Sequence, residues 1–122
     1  MSTILLVEDD KNQCLLFEQE LRLEDYEVIT AIDGKEALEK VQEQPPDLII
    51  MDINMPKMDG IEAMGRTVSK HKGIPIIINT AHSSYKDNFM SWLANAYIIK
   101  SSDLTELKNK IKELLTKEAA RR

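Results

Sequence analysis

Two short apolar runs in this chain each end abruptly on acidic residues. Residues 3–7 are followed by Glu8 and Asp9, and residues 48–51 are followed by Asp52. Unbroken apolar runs of this length are typical of strands that are buried on both faces of a parallel sheet. The pattern therefore predicts two buried strands that carry carboxylates to their carboxyl ends.

The remaining apolar residues alternate between short strand-like runs and helical spacing. Three more strands are predicted, at residues 26–31, 75–80 and 97–100. Helical spacing predicts five helices, at residues 11–23, before Pro45, at residues 60–70, after Ser83, and from Asp103 onward with Asp103 as its cap.

This alternation predicts an α/β fold with a doubly wound, five-stranded parallel sheet and helices on both faces, because each parallel crossover needs a helix. The expected strand order is 2-1-3-4-5, with right-handed crossovers. The first and third strands are then neighbours, so Asp52 is expected beside Glu8 and Asp9. In such sheets ligands bind at this topological switch point.

Length and composition narrow the class of protein. A chain of 122 residues fits one domain, so we expect residues 1–122 to form a single unit. The net charge of -5 argues against direct binding of nucleic acid. The longest apolar run is too short to cross a bilayer, and the N-terminus has no signal-peptide pattern, so no membrane association and a cytoplasmic location are expected.

The acidic cluster at the sheet edge predicts a metal site. At an effective dielectric constant of about 20, two carboxylates about 4 Å apart repel each other by roughly 4 kcal/mol. A divalent cation removes this repulsion, and Mg²⁺ suits oxygen ligands because it takes one or two carboxylates and keeps water for the rest.

Thr80 and Lys100 end the fourth and fifth strands, so they are expected to reach the same edge from the other side. A hydroxyl and an ammonium group there could hold phosphoryl oxygens during an in-line transfer. The set suggests covalent catalysis by a carboxylate, which gives an aspartyl phosphate. Spacing alone leaves open which carboxylate is the nucleophile.

Four segments of the chain together closely resemble the receiver domain of two-component response regulators. They are ILLVEDD at residues 4–10, DLIIMDINMPKMDG at residues 47–60, Thr80-Ala81, and YIIK at residues 97–100. The resemblance covers nearly the whole chain and implies a phosphorylation-activated signalling switch. It implies a histidine kinase or a phosphotransfer protein as the phosphate donor, and no enzymatic activity beyond the protein's own phosphorylation and dephosphorylation.

The resemblance also assigns the acidic residues. Asp52 would be the phosphoacceptor and would share Mg²⁺ with the acidic pair Glu8 and Asp9. Asn54 would bind the same ion through its backbone carbonyl. Asp10 either adds to this cluster or only caps the first helix.

The residues at the ends of the fourth and fifth strands receive roles in the same way. Thr80 and Lys100 would contact the phosphoryl group. Tyr97 would be the switch aromatic, whose rotamer follows Thr80. His82 either lines the mouth of the site and influences attack by water on the acyl phosphate, or is a solvated loop histidine.

Three features depart from the family pattern. Ser101 stands where the family usually has proline, often after a cis peptide bond. Leu93 replaces a usual glycine, and the interval between Thr80 and Tyr97 is slightly short. Trp92, in the same interval, is either a core residue or an exposed docking residue.

The leading hypothesis is a stand-alone receiver that acts on a partner protein. A second hypothesis is a receiver-like protein-binding module that does not switch by phosphorylation. The departures at Ser101 and Leu93 leave it open. A third is a phosphotransferase or phosphatase that acts on a small substrate through an aspartyl intermediate, although the sequence offers no substrate pocket or cap segment for it.

Overall fold

The computed structural model describes residues 1–52, 73–81 and 95–121, with the side chains of these ranges except Asp52 and residues 118–121. The helices expected at residues 60–70 and after Ser83 lie outside the described residues. Within them, the predicted architecture is confirmed.

Five parallel strands form one sheet in the order β2-β1-β3-β4-β5, as expected from the sequence. The strands are β1 (Thr3–Val7), β2 (Glu27–Ala31), β3 (Leu48–Asp52), β4 (Ile76–Thr80) and β5 (Ala96–Ile99). Every residue of β1 is buried, as the unbroken apolar run predicted. The strands β1 and β3 are therefore the centre of the fold.

Three helices are described: α1 (Lys11–Leu23), α2 (Gly34–Glu43) and α3 (Thr105–Arg121). The bounds of α1 match the prediction, but α3 begins two residues later than expected. Asp103 lies before this helix, where its carboxylate accepts hydrogen bonds from the Thr105 amide at 2.9 Å and from the Thr105 hydroxyl at 2.6 Å. These bonds, the hydroxyl bond foremost, hold the pKa of the Asp103 carboxyl below its usual value.

Alternation along the strands divides the buried core into two layers. The layer beneath α2 contains Leu5, Val7, Ile49, Met51, Ile76 and Ile78 of the sheet, together with Ala37 and Val41 of the helix. The layer beneath α1 and α3 contains Ile4, Leu6, Leu48, Ile50, Ile77 and Ile98, together with Phe17, Leu21, Leu107 and Ile111. Complete burial of one such aliphatic side chain contributes about 1.5 to 3 kcal/mol, so the two layers stabilise the sheet from both faces.

The connection from α1 to β2 is a tight helix end. The Asp25 amide donates to the Arg22 carbonyl at 3.0 Å, and the Tyr26 amide donates to the Leu21 carbonyl at 3.3 Å. Asp25 has a φ of 66°, in the left-handed region that a Schellman motif requires after the helix cap. Tyr26 then packs against the layer that contains Leu21, which directs the chain into β2.

Candidate functional site

The predicted site lies at the carboxyl edge of the sheet, where β1 and β3 end side by side. Val7 pairs with Met51, so Glu8 and Asp52 continue neighbouring strands. The Glu8 amide donates to the Ala31 carbonyl at 2.9 Å, which holds the backbone of Glu8 against β2. Glu8 and Asp52 are far apart in sequence, but the parallel pairing of β1 and β3 places them side by side.

Glu8 is a fully buried acid, with 0% of its side chain exposed. Its Oε1 accepts a hydrogen bond from the Asp10 amide at 2.9 Å. Its Oε2 lies 3.7 Å from the Lys100 Nζ, which forms an ion pair. A buried carboxylate is stable only with such partners, so one Glu8 oxygen faces Lys100 and the other faces the loop between β1 and α1.

Lys100 brings its ammonium group from the end of β5 to the end of β1. Its backbone amide donates to the Thr80 carbonyl at 2.8 Å, which fixes its start beside β4. Its Nζ donates to the Gln13 Oε1 at 2.5 Å as well as facing Glu8, and the side chain is only 13% exposed. Peptide bonds within the described ranges are trans, including the bond from Lys100 to Ser101.

Asp9 and Asp10 have different surroundings although they are adjacent. Asp9 is exposed, beside the buried Glu8. Asp10 is the N-cap of α1, and its Oδ1 accepts from the amides of Asn12 at 2.9 Å and Gln13 at 3.1 Å. The capping role considered for Asp10 is therefore confirmed, and the positive end of α1 lies next to the acidic pair.

Thr80 and Tyr97 belong to the α2 layer of the sheet. Thr80 is completely buried at the end of β4. Tyr97 is half-buried against the α2 layer and pairs in register with Ile78, two residues before Thr80. The two side chains predicted to act together thus lie on neighbouring strands and follow the same layer.

Two predicted site residues, Asn54 and His82, lie outside the described residues, as do Leu93 and Trp92. For Asp52 the structure gives the backbone, which pairs in register with Asn79 on β4. Asn79 itself is a buried polar residue, 2% exposed, that the sequence interpretation did not single out.

Gln13 is the second polar residue that the sequence interpretation missed. It precedes Phe17 and Leu21 by one and two steps of four residues, so it lies at the top of the stripe that α1 buries. A polar side chain in line with a buried stripe, at the helix end nearest the carboxyl edge, was the signal available in the sequence.

The donor set at this edge fits Mg²⁺ in its chemistry. Among the described side chains, no three His, Cys, Asp or Glu residues are grouped as a metal site. The exposed Asp9 offers carboxylate oxygens at the end of β1, and Asp52 is the residue that ends the neighbouring strand. Mg²⁺ commonly takes one or two carboxylates and completes its shell with water, which matches this supply.

None of the helices that the structure describes is long and apolar enough to span a membrane.

Comparison with known proteins gives one consistent family. The family model for the response regulator receiver domain matches residues 4–112. The transcriptional regulatory protein PrrA of Mycobacterium leprae is 38% identical over 119 residues, which are 96% of this chain and 51% of PrrA. The chain thus spans about half the length of the curated relatives it matches.

Two solved structures that are similar in fold contain magnesium. The response regulator TrrA of Thermotoga maritima, in complex with Mg²⁺-BeF, is 42% identical, with a TM-score of 0.83 over 93% of this chain and 99% of that one. The receiver domain of the sensor histidine kinase PA1611 of Pseudomonas aeruginosa, with a magnesium ion coordinated in the active site cleft, is 28% identical, with a TM-score of 0.80 over 94% of this chain and 98% of that one.

Proposed function

This chain belongs to the response regulator receiver domain family, and we propose that it is the phosphorylation-activated switch of a two-component system, with Asp52 as its phosphoacceptor. One observation carries the proposal: the ammonium of Lys100 is held beside the buried Glu8 at the edge where β1 and β3 end. Transfer of a phosphoryl group to a carboxylate needs a fixed cation where negative charge develops.

The proposed reaction is a displacement at phosphorus. A carboxylate oxygen of Asp52 forms a bond to phosphorus while the bond from phosphorus to the donor's imidazole nitrogen breaks. The Lys100 ammonium and the Thr80 hydroxyl would hold oxygens of the transferred group. The donor would be a histidine kinase or a histidine phosphotransfer protein, and the exchange would take place in the cytoplasm.

We assign Mg²⁺ to the same edge, where it would neutralise the charge of the acidic residues and of the phosphoryl oxygens. Asp9 and Asp52 would contact the ion, together with the backbone carbonyl of Asn54. Because both Glu8 oxygens face groups of the protein, Glu8 would contribute through water. The Mg²⁺ reported for the similar TrrA and PA1611 structures supports this assignment.

The output of the switch would be a change of the surface around Tyr97. Movement of Thr80 toward a phosphoryl oxygen would vacate space in the α2 layer, and Tyr97 would turn inward in response. His82 would modulate the loss of the phosphoryl group by water. A phosphoryl group can bias such an equilibrium only as far as it contacts the two states differently, typically by about 1 to 3 kcal/mol.

Residues 1–122 would act as a single receiver domain that signals through a protein partner rather than by direct contact with nucleic acid. The net charge of -5 supports a protein partner, because nucleic acid is itself strongly negative. PrrA, named as a transcriptional regulator, is about twice as long as the match, so its name describes a larger protein.

The test is incubation with acetyl phosphate and Mg²⁺, followed by intact-mass spectrometry. We expect one added phosphoryl group in the wild type, none in Asp52→Asn, none after chelation of Mg²⁺, and normal addition in the matched control Asp33→Asn. Unmodified wild type, or normal addition in Asp52→Asn, would contradict the proposal. A chain that also fails to bind Mg²⁺ would instead fit a receiver-like binding module.

A further inference from the structure

We propose that Gln13 is a positioning residue that holds the Lys100 ammonium ready for phosphoryl transfer. This inference rests on the proposed function, in which Lys100 contacts the phosphoryl group. Gln13 itself is not assigned any contact with the reacting atoms.

The contact between the two side chains is a short hydrogen bond. The Lys100 Nζ donates to the Gln13 Oε1 at 2.5 Å, across a sequence separation of 87 residues. The Glu8 Oε2 is 3.7 Å from the same nitrogen, beyond ordinary hydrogen-bond distance. Of these two, Gln13 fixes the direction of the ammonium through a hydrogen bond, while Glu8 supplies opposite charge.

The backbone of Gln13 is itself held in place. Its amide donates to the Asp10 Oδ1 at 3.1 Å, in the cap that begins α1. The Asp10 amide in turn donates to the Glu8 Oε1 at 2.9 Å. The cap, the buried acid and the ammonium thus form one connected network that starts at the end of β1 and returns from the end of β5.

A carboxamide suits this position better than either alternative chemistry. A carboxylate would neutralise the ammonium and add negative charge to an edge that already carries Glu8 and Asp9. An apolar side chain would remove the hydrogen bond that holds the end of the flexible four-carbon stem of Lys100, and the ammonium would lose orientation. A neutral acceptor fixes the ammonium and leaves its charge available to the incoming group.

The expected effect follows from preorganisation. A cation that is already oriented stabilises developing charge without reorganising during the reaction. At metal sites, removal of an outer group that orients a ligand typically costs about 10- to 100-fold in affinity or activity, and we take the lower end for an oriented ammonium. We therefore expect phosphorylation of Gln13→Met by acetyl phosphate to be about tenfold slower than that of the wild type at equal Mg²⁺.

The control is Gln19→Met, which makes the same chemical change at an exposed position of the same helix. It should be phosphorylated at the wild-type rate, and Gln13→Glu should not restore that rate. Urea unfolding of each variant verifies that the protein is folded under the assay conditions.

A double-mutant cycle separates positioning from a merely structural role. If Gln13 acts through Lys100, Gln13→Met should add no further slowing in a Lys100→Met background. Equal slowing in both backgrounds, or a wild-type rate in Gln13→Met, would overturn the inference. Failure of the proposed function is distinguishable, because the wild type itself would then accept no phosphoryl group.

A second readout does not depend on the folding of Lys100→Met. In ¹⁵N NMR of the lysine ammonium groups, the Lys100 signal, assigned with Lys100→Arg, should be protected from exchange in the wild type and in Gln19→Met. It should broaden in Gln13→Met. An unchanged Lys100 signal in Gln13→Met would also overturn the inference.

Discussion

A carboxylate as deeply buried as that of Glu8 is stable only beside a positive charge. Lys100 supplies this charge, and the Asp10 amide occupies the other carboxylate oxygen. Because the Glu8 side chain has no exposed surface, these protein groups replace water as the partners of its charge. The stability of the protein and the chemistry proposed for it therefore depend on the same side chains.

Glu8→Gln should lower the free energy of unfolding by about 1 to 3 kcal/mol, because an amide can accept the Asp10 bond but cannot balance the ammonium. Urea denaturation at low and at high salt measures the change. The loss should be nearly independent of salt, since the pair is buried.

The matched control is Glu113→Gln, which breaks a surface ion pair with Lys110. That pair holds the pKa of Glu113 below its usual value, chiefly through the hydrogen bond from Lys110. Any loss of stability in Glu113→Gln should disappear at high salt. Higher stability of Glu8→Gln than of the wild type would mean that repulsion among the acids outweighs their pairing with Lys100.

Single residues at the site could be predicted only where the pattern of their own strand marked them. Glu8 and Lys100 each follow an apolar run and Thr80 ends the fourth strand, so their shared edge follows from the parallel sheet. Gln13 and Asn79 could not be assigned in this way. The buried stripe of α1 marks Gln13 as a polar residue near the edge, but no local pattern encodes its contact with Lys100, 87 residues away. Asn79 interrupts an apolar strand without any motif around it.

At the scale of elements, boundaries were predictable where a strong cap or a sharp change of polarity marks them. The start of α1 after Asp10 is such a case, because an aspartate there precedes a clear amphipathic stripe. For α3 the sequence predicts a start two residues too early. Asp103 can cap a helix that begins directly after it, but the structure shows a local bond from the Thr105 amide, and the helix begins at Thr105.

The end of α1 provides a test of backbone conformation. Asp25→Gly should raise the free energy of unfolding by about 0.5 to 1 kcal/mol, because glycine adopts the left-handed conformation without steric cost and removes a negative charge from a helix C-terminus. Thermal and urea unfolding measure the gain.

Asp25→Asn separates the two causes, since asparagine removes the charge but keeps a side chain in the left-handed region. Its gain should be smaller than that of glycine. A less stable Asp25→Gly would indicate that the Asp25 side chain contributes to the native state in a way that its backbone conformation does not suggest.

At the scale of the whole molecule, the proposed switch connects the edge of the sheet with the surface near Tyr97. With fluorotyrosine incorporated at the three tyrosines, addition of Mg²⁺ and beryllofluoride should move the ¹⁹F signal of Tyr97. Tyr26 lies at the opposite edge of the sheet, before β2, and its signal should stay in place as an internal control.

The same titration in Thr80→Val should leave the Tyr97 signal unmoved while Mg²⁺ still binds, because valine fills the space of threonine without a hydroxyl to follow the ligand. A shift of equal size in Thr80→Val would contradict the coupling between the two residues.

The strand order has a further consequence for folding of the chain during its synthesis. Lys100 contacts Gln13 across 87 positions of sequence. β1 lies between β2 and β3, and both of these strands follow it in the chain. Contacts between residues far apart in sequence make folding slow, because the entropy of closing long loops is lost before those contacts can stabilise the fold. A nascent chain that still lacks β5 also lacks Lys100 at this edge, so the proposed uptake of a phosphoryl group should begin only after translation has released β5 and β5 has paired with β4.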